Sequence, residues 1–515
     1  MRRFVFVVSS LLVLLGGSAA RADLTRRALD AADGGGSPPQ TTLISWAGTV
    51  KQTTLPDLLQ VAVRTAPALQ SAKLDIEIAQ AQIQQTWARH DWFVAAQAVG
   101  SWSESVPLAG GVAIGSQKTF SVTADLTHTI FSGGTFGVHL GTSYLNIDAP
   151  GQPLLNQTIW TDDIGVSFVQ PLLRGRGSDL FDANEKRARL NADAAVLGRR
   201  QAALDTIQQV VAGYWDLVLA QRQVAITEQS LTLARERLRI TEIGARGGKI
   251  AQAEIPAVQQ IIATREEDVL GGELVVVDRS IALRRSVGMP IGPGDLALRV
   301  DSDLEASDRG WTLDTLLEQA YAASPELAVL AKQDAGATIE IEVNDNGLLP
   351  QLDLALSLGP SGSDGNPSTA LKKTIEFDEI AAQGSLTFRQ GLARDDVKGR
   401  SRELRGNREK LRVNAADVRA QIAQAMSQAV AQIELAKRRV VLSQRAIDLA
   451  IENIRIETDR FNLGKSTNFD VLNRLEEQRQ AELRKAQALI DWHKAETVVM
   501  ALTGELLPAF GVTVD

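Results

Sequence analysis

The chain has 515 residues, of which 44% are hydrophobic, 23% are charged and only 5% are aromatic, and its net charge is −8. It contains no cysteine and four histidines, which excludes disulfides, thiolate metal sites and a cysteine nucleophile. The acidic balance argues against a nucleic-acid partner, because phosphate binding needs clustered lysines and arginines. The composition is typical of long amphipathic helices.

The N-terminus has the pattern of a secretory signal peptide at residues 1–22, with two arginines, an apolar run and the small-residue site Ala20-Arg21-Ala22. We expect cleavage after Ala22. The alternative is a short membrane anchor, but about 12 apolar residues are fewer than the ~20 that a helix needs to cross a bilayer. Residues 23–50 are rich in glycine and proline and indicate a flexible linker.

Two internal repeats indicate gene duplication. TLPDLLQVAVRTAPAL begins at Thr54 and TLDTLLEQAYAASPEL begins at Thr312, an offset of 258 residues, whereas residues 239–255 match 455–471 at an offset of 216. The first half therefore carries about 40 additional residues between its matching helices. The pattern predicts a first repeat at 51–290, an inter-repeat linker at 291–310 and a second repeat at 311–508.

Each repeat contains a long segment without proline, at 178–243 and at 395–460. As helices, 66 residues would span about 100 Å. Both segments carry a heptad seam in which aliphatic residues stand beside Gly, Ala, Ser or Thr. Its positions are Thr206, Val210, Gly213, Leu217, Ala220, Val224, Thr227, Leu231, Ala234 and Leu238, and Ile422, Met426, Ala429, Ile433, Ala436, Val440, Ser443, Ile447, Ala450 and Ile454. After a Gly-Lys turn, return helices are expected at 251–288 and 467–503. Each half is predicted to be a long antiparallel helical hairpin; the seam alone also fits an exposed coiled-coil spacer.

Alternating polar and apolar residues predict β-strands between the helices. The second half has two such strands within 349–390, and the first half has four within 91–173, near 92–102, 120–131, 136–146 and 164–170. Since no later segment is a transmembrane helix by hydropathy, any membrane-spanning part must be a closed β-barrel. In an exported chain the alternation fits such a barrel, with other chains closing it, better than a soluble sandwich, because an isolated hairpin is marginally stable in water.

The additional residues of the first half indicate one extra hairpin, joined at Ser132-Gly133-Gly134. Trp92, Trp102, Tyr144 and Trp160 lie near predicted strand ends, where they are either membrane-interface anchors or ordinary packing aromatics.

The duplicated order of helices and strands, with RFNLGKSTNFDVL at 460–472 and GRGSDLFDANEKRARLNADAA at 175–195, resembles the TolC-like outer-membrane efflux channel family. The resemblance covers about residues 50–508. It implies an α+β membrane protein whose three copies form one outer-membrane β-barrel continuing into a periplasmic α-helical coiled-coil barrel. It also implies an exit duct of a tripartite efflux or type I secretion system, in contact with outer-membrane lipid, a periplasmic adaptor and an inner-membrane transporter.

In this family each chain usually contributes four strands to the barrel, whereas this sequence predicts six. Either the trimeric barrel has about eighteen strands or the extra hairpin projects from it.

The resemblance also suggests gate residues. It implies an acidic constriction at Asp470, at the start of the second return helix, where the helix dipole stabilises a carboxylate and three copies would attract cations. The second acid of the family pattern is replaced by Asn473, so we expect one acidic ring; the simpler interpretation is a helix N-terminal acid. Glu254 is the equivalent residue of the first half. Phe461 stands where the family often has tyrosine and lacks its hydroxyl.

The hairpin turns are the expected adaptor contacts. They comprise Arg246, Gly248 and Lys249 in the first half and Asn462, Gly464 and Lys465 in the second. Solvated turn residues without a partner are the alternative.

Neither a cofactor nor a metal site is expected, since the four histidines lack ligand spacing. A periplasmic adaptor or a structural coiled-coil protein is the alternative function, although adaptors typically have one hairpin. An enzyme is not expected, because Gly175-Arg176-Gly177 lacks the Lys-Ser/Thr of a phosphate-binding loop and no Ser/His/Asp group is evident.

Overall fold

The computed structural model of the chain describes residues 51–104, 115–149, 156–292, 297–300 and 309–512. The predicted signal peptide and N-terminal linker lie outside the described residues. The first half contains β1 (Lys51–Thr53), α1 (Leu55–Thr65), α2 (Pro67–Thr86), β2 (Trp92–Glu104), β3 (Ser116–Thr129), β4 (Thr135–Asp148), β5 (Gln157–Pro171), α3 (Ser178–Arg246) and α4 (Glu254–Val287).

The second half repeats this order with fewer strands. It contains β6 (Leu298–Val300), α5 (Leu313–Ala323), α6 (Pro325–Asn346), β7 (Gln351–Asp364), α7 (Pro367–Glu376), β8 (Glu379–Arg389), α8 (Asp395–Asn462), α9 (Asn468–Thr503) and the short α10 (Leu506–Ala509). No helix in these described ranges is both long and apolar enough to span a membrane.

The repeats match in backbone detail at their helix ends. Pro67 and Pro325 begin α2 and α6, where a missing N–H costs nothing. Gly288 and Gly504, which are 216 residues apart, end α4 and α9 with φ of +79° and +77°. A Cβ at Gly288 would lie 2.3 Å from the carbonyl oxygen of Thr65, and one at Gly504 would lie 3.1 Å from the Cβ of Ala323. Each return helix therefore ends against the C-terminus of the short helix of its own repeat.

The two long helices have 69 and 68 residues, or about 100 Å each. Eight of the ten seam positions are buried in each, and the remainder are half-buried. Helix α3 also buries a second stripe, formed by Ile207, Val211, Tyr214 and Val218. It does so because α3 packs against α9 of the other hairpin as well as against α4. The two hairpins are thus joined along α3.

The strands β2, β3, β4, β5, β7 and β8 form one antiparallel sheet in that order. Even-numbered residues share one face and odd-numbered residues share the other. The even-numbered face, called here the apolar face, carries Leu352, Leu354, Leu356 and Leu358 on β7, while the odd-numbered polar face carries Thr123 and Asp125 on β3 and Gln383 on β8. The sheet is continuous through the extra hairpin β3–β4.

Three features differ from the sequence pattern. Strand β5 begins before the predicted range 164–170, and β7 continues past the alternating residues Leu352 to Leu358, because pairing with neighbouring strands continues where the alternation of side chains is lost. Helix α7 lies between β7 and β8, within the range 349–390 for which only strands are predicted. A parallel pair joins β1 to β6, which lies inside the expected inter-repeat linker.

Candidate functional site

The hairpin turns at the far end of the helices have the same backbone geometry in both repeats. Gly248 and Gly464 have φ of +69° and +71°, a conformation that favours glycine. The N–H of the lysine after each glycine donates to a carbonyl five residues earlier, at 2.9 Å for Lys249 and 2.8 Å for Lys465. The turn residues proposed as adaptor contacts, Arg246, Gly248, Lys249, Asn462, Gly464 and Lys465, are all exposed. Leu463 between them is 71% exposed.

Behind these turns, a buried arginine connects the two hairpins. The Nε of Arg237 on α3 donates to Oδ1 of Asn468 at 2.8 Å, and Nδ2 of Asn468 donates to Oε2 of Glu254 at 2.6 Å. The guanidinium of Arg237 also lies 3.9 Å from the ring centroid of Phe461. Arg237 is only 6% exposed, and its burial lowers its pKa while Glu254 acts in the opposite direction. We call Arg237, Asn468, Glu254 and Phe461 the tip network.

Asp470 lies beside the tip network, but its carboxylate takes part in capping the N-terminus of α9. It accepts hydrogen bonds from the N–H and the hydroxyl of Thr467, at 3.0 and 2.7 Å, and from the hydroxyl of Ser466 at 3.2 Å. These hydrogen bonds, led by that of the Thr467 hydroxyl, lower the pKa of Asp470. Together with the bond from the Asp470 N–H to Thr467 they form a capping box. Asn473, one turn further, is exposed.

The sequence reasoning missed three residues of this region. Arg237 and Asn468 are described above, and Glu457 is 7% exposed and accepts a hydrogen bond from Ser466 at 2.5 Å. Arg237 and Asn468 are buried through contacts between the two hairpins, which the periodicity of a single helix does not reveal. Glu457 continues the spacing of the second seam three residues after Ile454, and its partner Ser466 lies in its own hairpin turn.

A second polar group lies on the polar face of the sheet. His139 on β4 stands between two carboxylates, with Nδ1 2.7 Å from Asp125 Oδ1 and Nε2 3.0 Å from Asp163 Oδ2. All three side chains are about one-third to one-half exposed. Throughout the described ranges, no cluster of three or more such side chains is arranged to hold a metal ion.

The apolar face carries two rows of aromatic residues. In the row near the helices, Trp92 stacks on His128 at 4.7 Å and meets Phe136 edge-on, with Phe168 next in register. In the outer row, Tyr144 packs against Trp160 at 4.8 Å, with Phe120 beside Tyr144. Phe136 and Tyr144 are eight residues apart on β4, or about 27 Å along the strand. At the tilt of about 40° usual in barrels this is a height of about 20 Å.

Most side chains between the rows are apolar and exposed. The exceptions are Thr142 and Asp162, which are neighbours in register close to the outer row, where helix α7 also contacts the sheet. One row across the sheet consists of Val94, Leu126, Val138, Val166, Leu358 and Ala382. Val94 is 76% exposed and Leu358 is 52% exposed. An apolar surface this continuous marks contact with lipid or protein rather than with water.

The profile of the family described as "outer membrane efflux protein" matches residues 156–289 and 316–505. The chain belongs to the outer membrane efflux protein family. The resemblance drawn from the sequence is therefore confirmed. A curated relative, the pyoverdine export outer membrane protein OpmQ of Pseudomonas putida, is 23% identical over 243 residues. That alignment covers 41% of this chain and about half, 50%, of OpmQ.

Solved structures of outer-membrane proteins share the fold. The outer-membrane channel OprN aligns with a TM-score of 0.65 at 15% identity, covering 88% of this chain and 90% of OprN. The outer membrane protein VceC of Vibrio cholerae aligns with a TM-score of 0.63 at 14% identity, covering 88% of this chain and 96% of VceC. These likenesses confirm the mixed helix and strand fold expected for the family.

Proposed function

We propose that this chain is the outer-membrane exit duct of a tripartite efflux or type I secretion system. Three copies close their sheets into one barrel in the outer membrane, and their helical hairpins form a duct through the periplasm. An inner-membrane transporter and a periplasmic adaptor deliver the substrate to this duct. The signal peptide, removed after Ala22, directs the chain out of the cytoplasm.

The observation that carries this proposal is the apolar face of the sheet. It is exposed in the single chain, is bounded by aromatic rows about 20 Å apart in height, and faces away from a polar surface that suits a water-filled interior. Membrane barrels have such an apolar band of about 25 Å between aromatic girdles. The same sheet continues directly into helices of about 100 Å. A periplasmic adaptor has no use for an apolar band of this kind.

The tip network supports the proposal of a gate at this end of the duct, because its contacts hold the two hairpins of one chain together. It ties the first hairpin, through Arg237 and Glu254, to the second, through Asn468 and Phe461. Opening of the duct requires the hairpins to separate at this end, which breaks these contacts. Asp470 adds one acidic ring when three copies surround the axis.

The exposed turns are the proposed adaptor-binding surface. Leu463 and Phe469 are 71% and 64% exposed at the tip, where a protein partner would cover them. Lys249 and Lys465 give this surface positive charge at both turns.

Reconstitution of the purified protein in planar lipid bilayers tests the proposal. We expect a detergent-resistant trimer extracted from membranes that gives discrete conductance steps. A water-soluble monomer that never conducts would contradict the proposal and favour the adaptor or structural coiled-coil alternative.

A further inference from the structure

Among the residues that the structure describes, the hairpin β3–β4 of the first half has no counterpart in the second half. We propose that this hairpin forms part of the barrel wall, so that each copy contributes six strands and the closed barrel has about eighteen. The inference rests on the proposed function. It concerns the size of the barrel, which the family membership does not fix.

Hydrogen bonding is continuous through the hairpin. Strand β3 pairs with β2 from Trp92↔His128 to Glu104↔Ser116, and β4 pairs with β5 from Thr135↔Val169 to Ile147↔Gln157. Strands β3 and β4 pair with each other along their whole length. If the hairpin projected from the sheet, β3 and β4 would lose their hydrogen bonds to β2 and β5 at some point, and β2 would pair directly with β5. The sheet contains no such break.

The side chains of the hairpin follow the same division of faces as the rest of the sheet. Both aromatic rows run through it, the row near the helices at His128 and Phe136 and the outer row at Phe120 and Tyr144. Between them Leu140 is 49% exposed on the apolar face, while Thr123 and Asp125 lie on the polar face. A hairpin surrounded by water has no reason to carry an apolar band of membrane height on one face only.

The two edges of the six-stranded sheet suit pairing with a second copy of the chain. Strands β2 and β8 are exposed along their whole length. Neither contains lysine or proline, the residues that commonly protect a free edge from pairing. Because neighbouring strands alternate in direction across six strands, β8 of one copy runs antiparallel to β2 of the next. The occupant of each edge is therefore the opposite edge of another copy.

A barrel of this size does not restrict the passage of substrate. Barrel diameter grows about linearly with strand number, so about eighteen strands give about one and a half times the width of twelve. Barrels of 16–18 strands leave an open aqueous channel. The narrowest part of the duct is then at the helical tip, and selection by size occurs there.

Single-cysteine spin labelling tests this assignment, because the natural chain has no cysteine. The test pair on the extra hairpin is Leu126→Cys and Thr127→Cys. The control pair on β7 is Leu358→Cys and Ser357→Cys, which lie in the same two rows across the sheet. In lipid vesicles we expect labels at both leucine positions to be accessible to oxygen and at least tenfold less accessible to a water-soluble nickel chelate. Labels at Thr127 and Ser357 should show the reverse.

The outcomes separate the two proposals. If only the β7 pair shows this contrast and both hairpin positions are accessible to the chelate, the hairpin projects and the eighteen-stranded wall is wrong, while the proposed channel stands. If neither pair shows it, the barrel itself is contradicted. A cryo-electron microscopy structure of the unmodified protein in lipid nanodiscs gives an independent count, for which about eighteen strands support the proposal and twelve overturn it.

Discussion

At the scale of single residues, the most informative side chain is Arg237. A buried charge is costly unless other groups compensate it. Arg237 has a hydrogen bond to Asn468, the ring face of Phe461 and, through Asn468, the carboxylate of Glu254. Phe461 lacks the hydroxyl of the tyrosine that the family often has here, and the face of its ring contacts the guanidinium instead. We therefore expect the closed arrangement of the hairpins to depend on an aromatic ring at position 461.

Phe461→Leu tests this dependence. Leucine keeps an apolar side chain but removes the ring, with a loss of about 1 to 2 kcal/mol for a desolvated cation–π contact. We expect more frequent openings or a higher conductance in planar bilayers, and Phe461→Tyr should behave like the natural protein. The matched control is Phe469→Leu, since Phe469 is 64% exposed at the same tip. Equal effects of the two leucine variants would contradict a role for the Arg237–Phe461 contact.

A second residue, His493, links the hairpins by a stacking contact whose stability we expect to depend on pH. The His493 ring on α9 stacks on Trp215 of α3 at a centroid distance of 4.2 Å, and burial lowers its pKa. Glu496 lies 3.8 Å from Nδ1, and the nearby Lys494 is paired with Asp216. In the unfolded chain the histidine binds its proton at a higher pH than in the fold, near 6.5. The stability of this contact is therefore complete above about pH 6.5 and falls as the pH decreases.

His493→Gln should weaken this pH dependence. We expect the natural protein to lose more thermal stability between pH 7.5 and pH 5.5 than the variant does, measured by circular dichroism in detergent. The variant will be less stable at pH 7.5, because it lacks the stacked ring, so the comparison is between slopes. Parallel slopes would show that His493 does not account for the change.

At the scale of elements, both return helices end at a glycine with positive φ, but the two sites differ in the space that they leave for a side chain. The Cβ position of Gly288 meets a backbone carbonyl at 2.3 Å, whereas that of Gly504 meets a side-chain methyl at 3.1 Å. Both glycines have positive φ. The contact at Gly288 is therefore the tighter junction between a short helix and a return helix.

Gly288→Ala is expected to destabilise the protein by more than Gly504→Ala. Each variant has the strain of a positive φ, about 1 kcal/mol, but only Gly288→Ala also forces the backbone of Thr65 to move. The melting temperature of each variant, measured in detergent, checks the order. A larger decrease for Gly504→Ala would show that these backbone contacts do not control stability.

Elements whose side-chain pattern repeats along the chain could be predicted from the sequence, and short elements without such a pattern could not. The heptad seams and the polar–apolar alternation gave the long helices and the six strands, because each side-chain pattern repeats many times. Strand β6 has three residues and pairs with β1 almost 250 residues away, so no local pattern marks it. Helix α7 has only ten residues, and its Ala370 and Thr374 are buried against the outer part of the sheet. In the site, Phe461 and Glu254 were found through the repeat and the family pattern, but Arg237 and Asn468 depend on contacts between helices.

At the scale of the whole molecule, two variants distinguish the effect of the Asp470 charge on ion passage from its effect as a helix cap. Asp470→Asn removes the charge, while the amide oxygen still accepts the hydrogen bond from the N–H of Thr467. Thr467→Val keeps the charge and removes the hydroxyl of the capping box. If three aspartates surround the axis, Asp470→Asn should weaken block by divalent cations severalfold and Thr467→Val should not. Block that is unchanged in Asp470→Asn would place Asp470 outside the lumen.

The position of the extra hairpin also bears on how such channels diversify. Because a hairpin adds one strand in each direction, its gain or loss leaves β2 and β5 antiparallel and leaves the chain entering α3 from the same side. In the proposed barrel, gain or loss of whole hairpins would therefore change the exit diameter without altering the long helices. The same modularity offers protein engineers a route to wider or narrower pores on one unchanged helical stem.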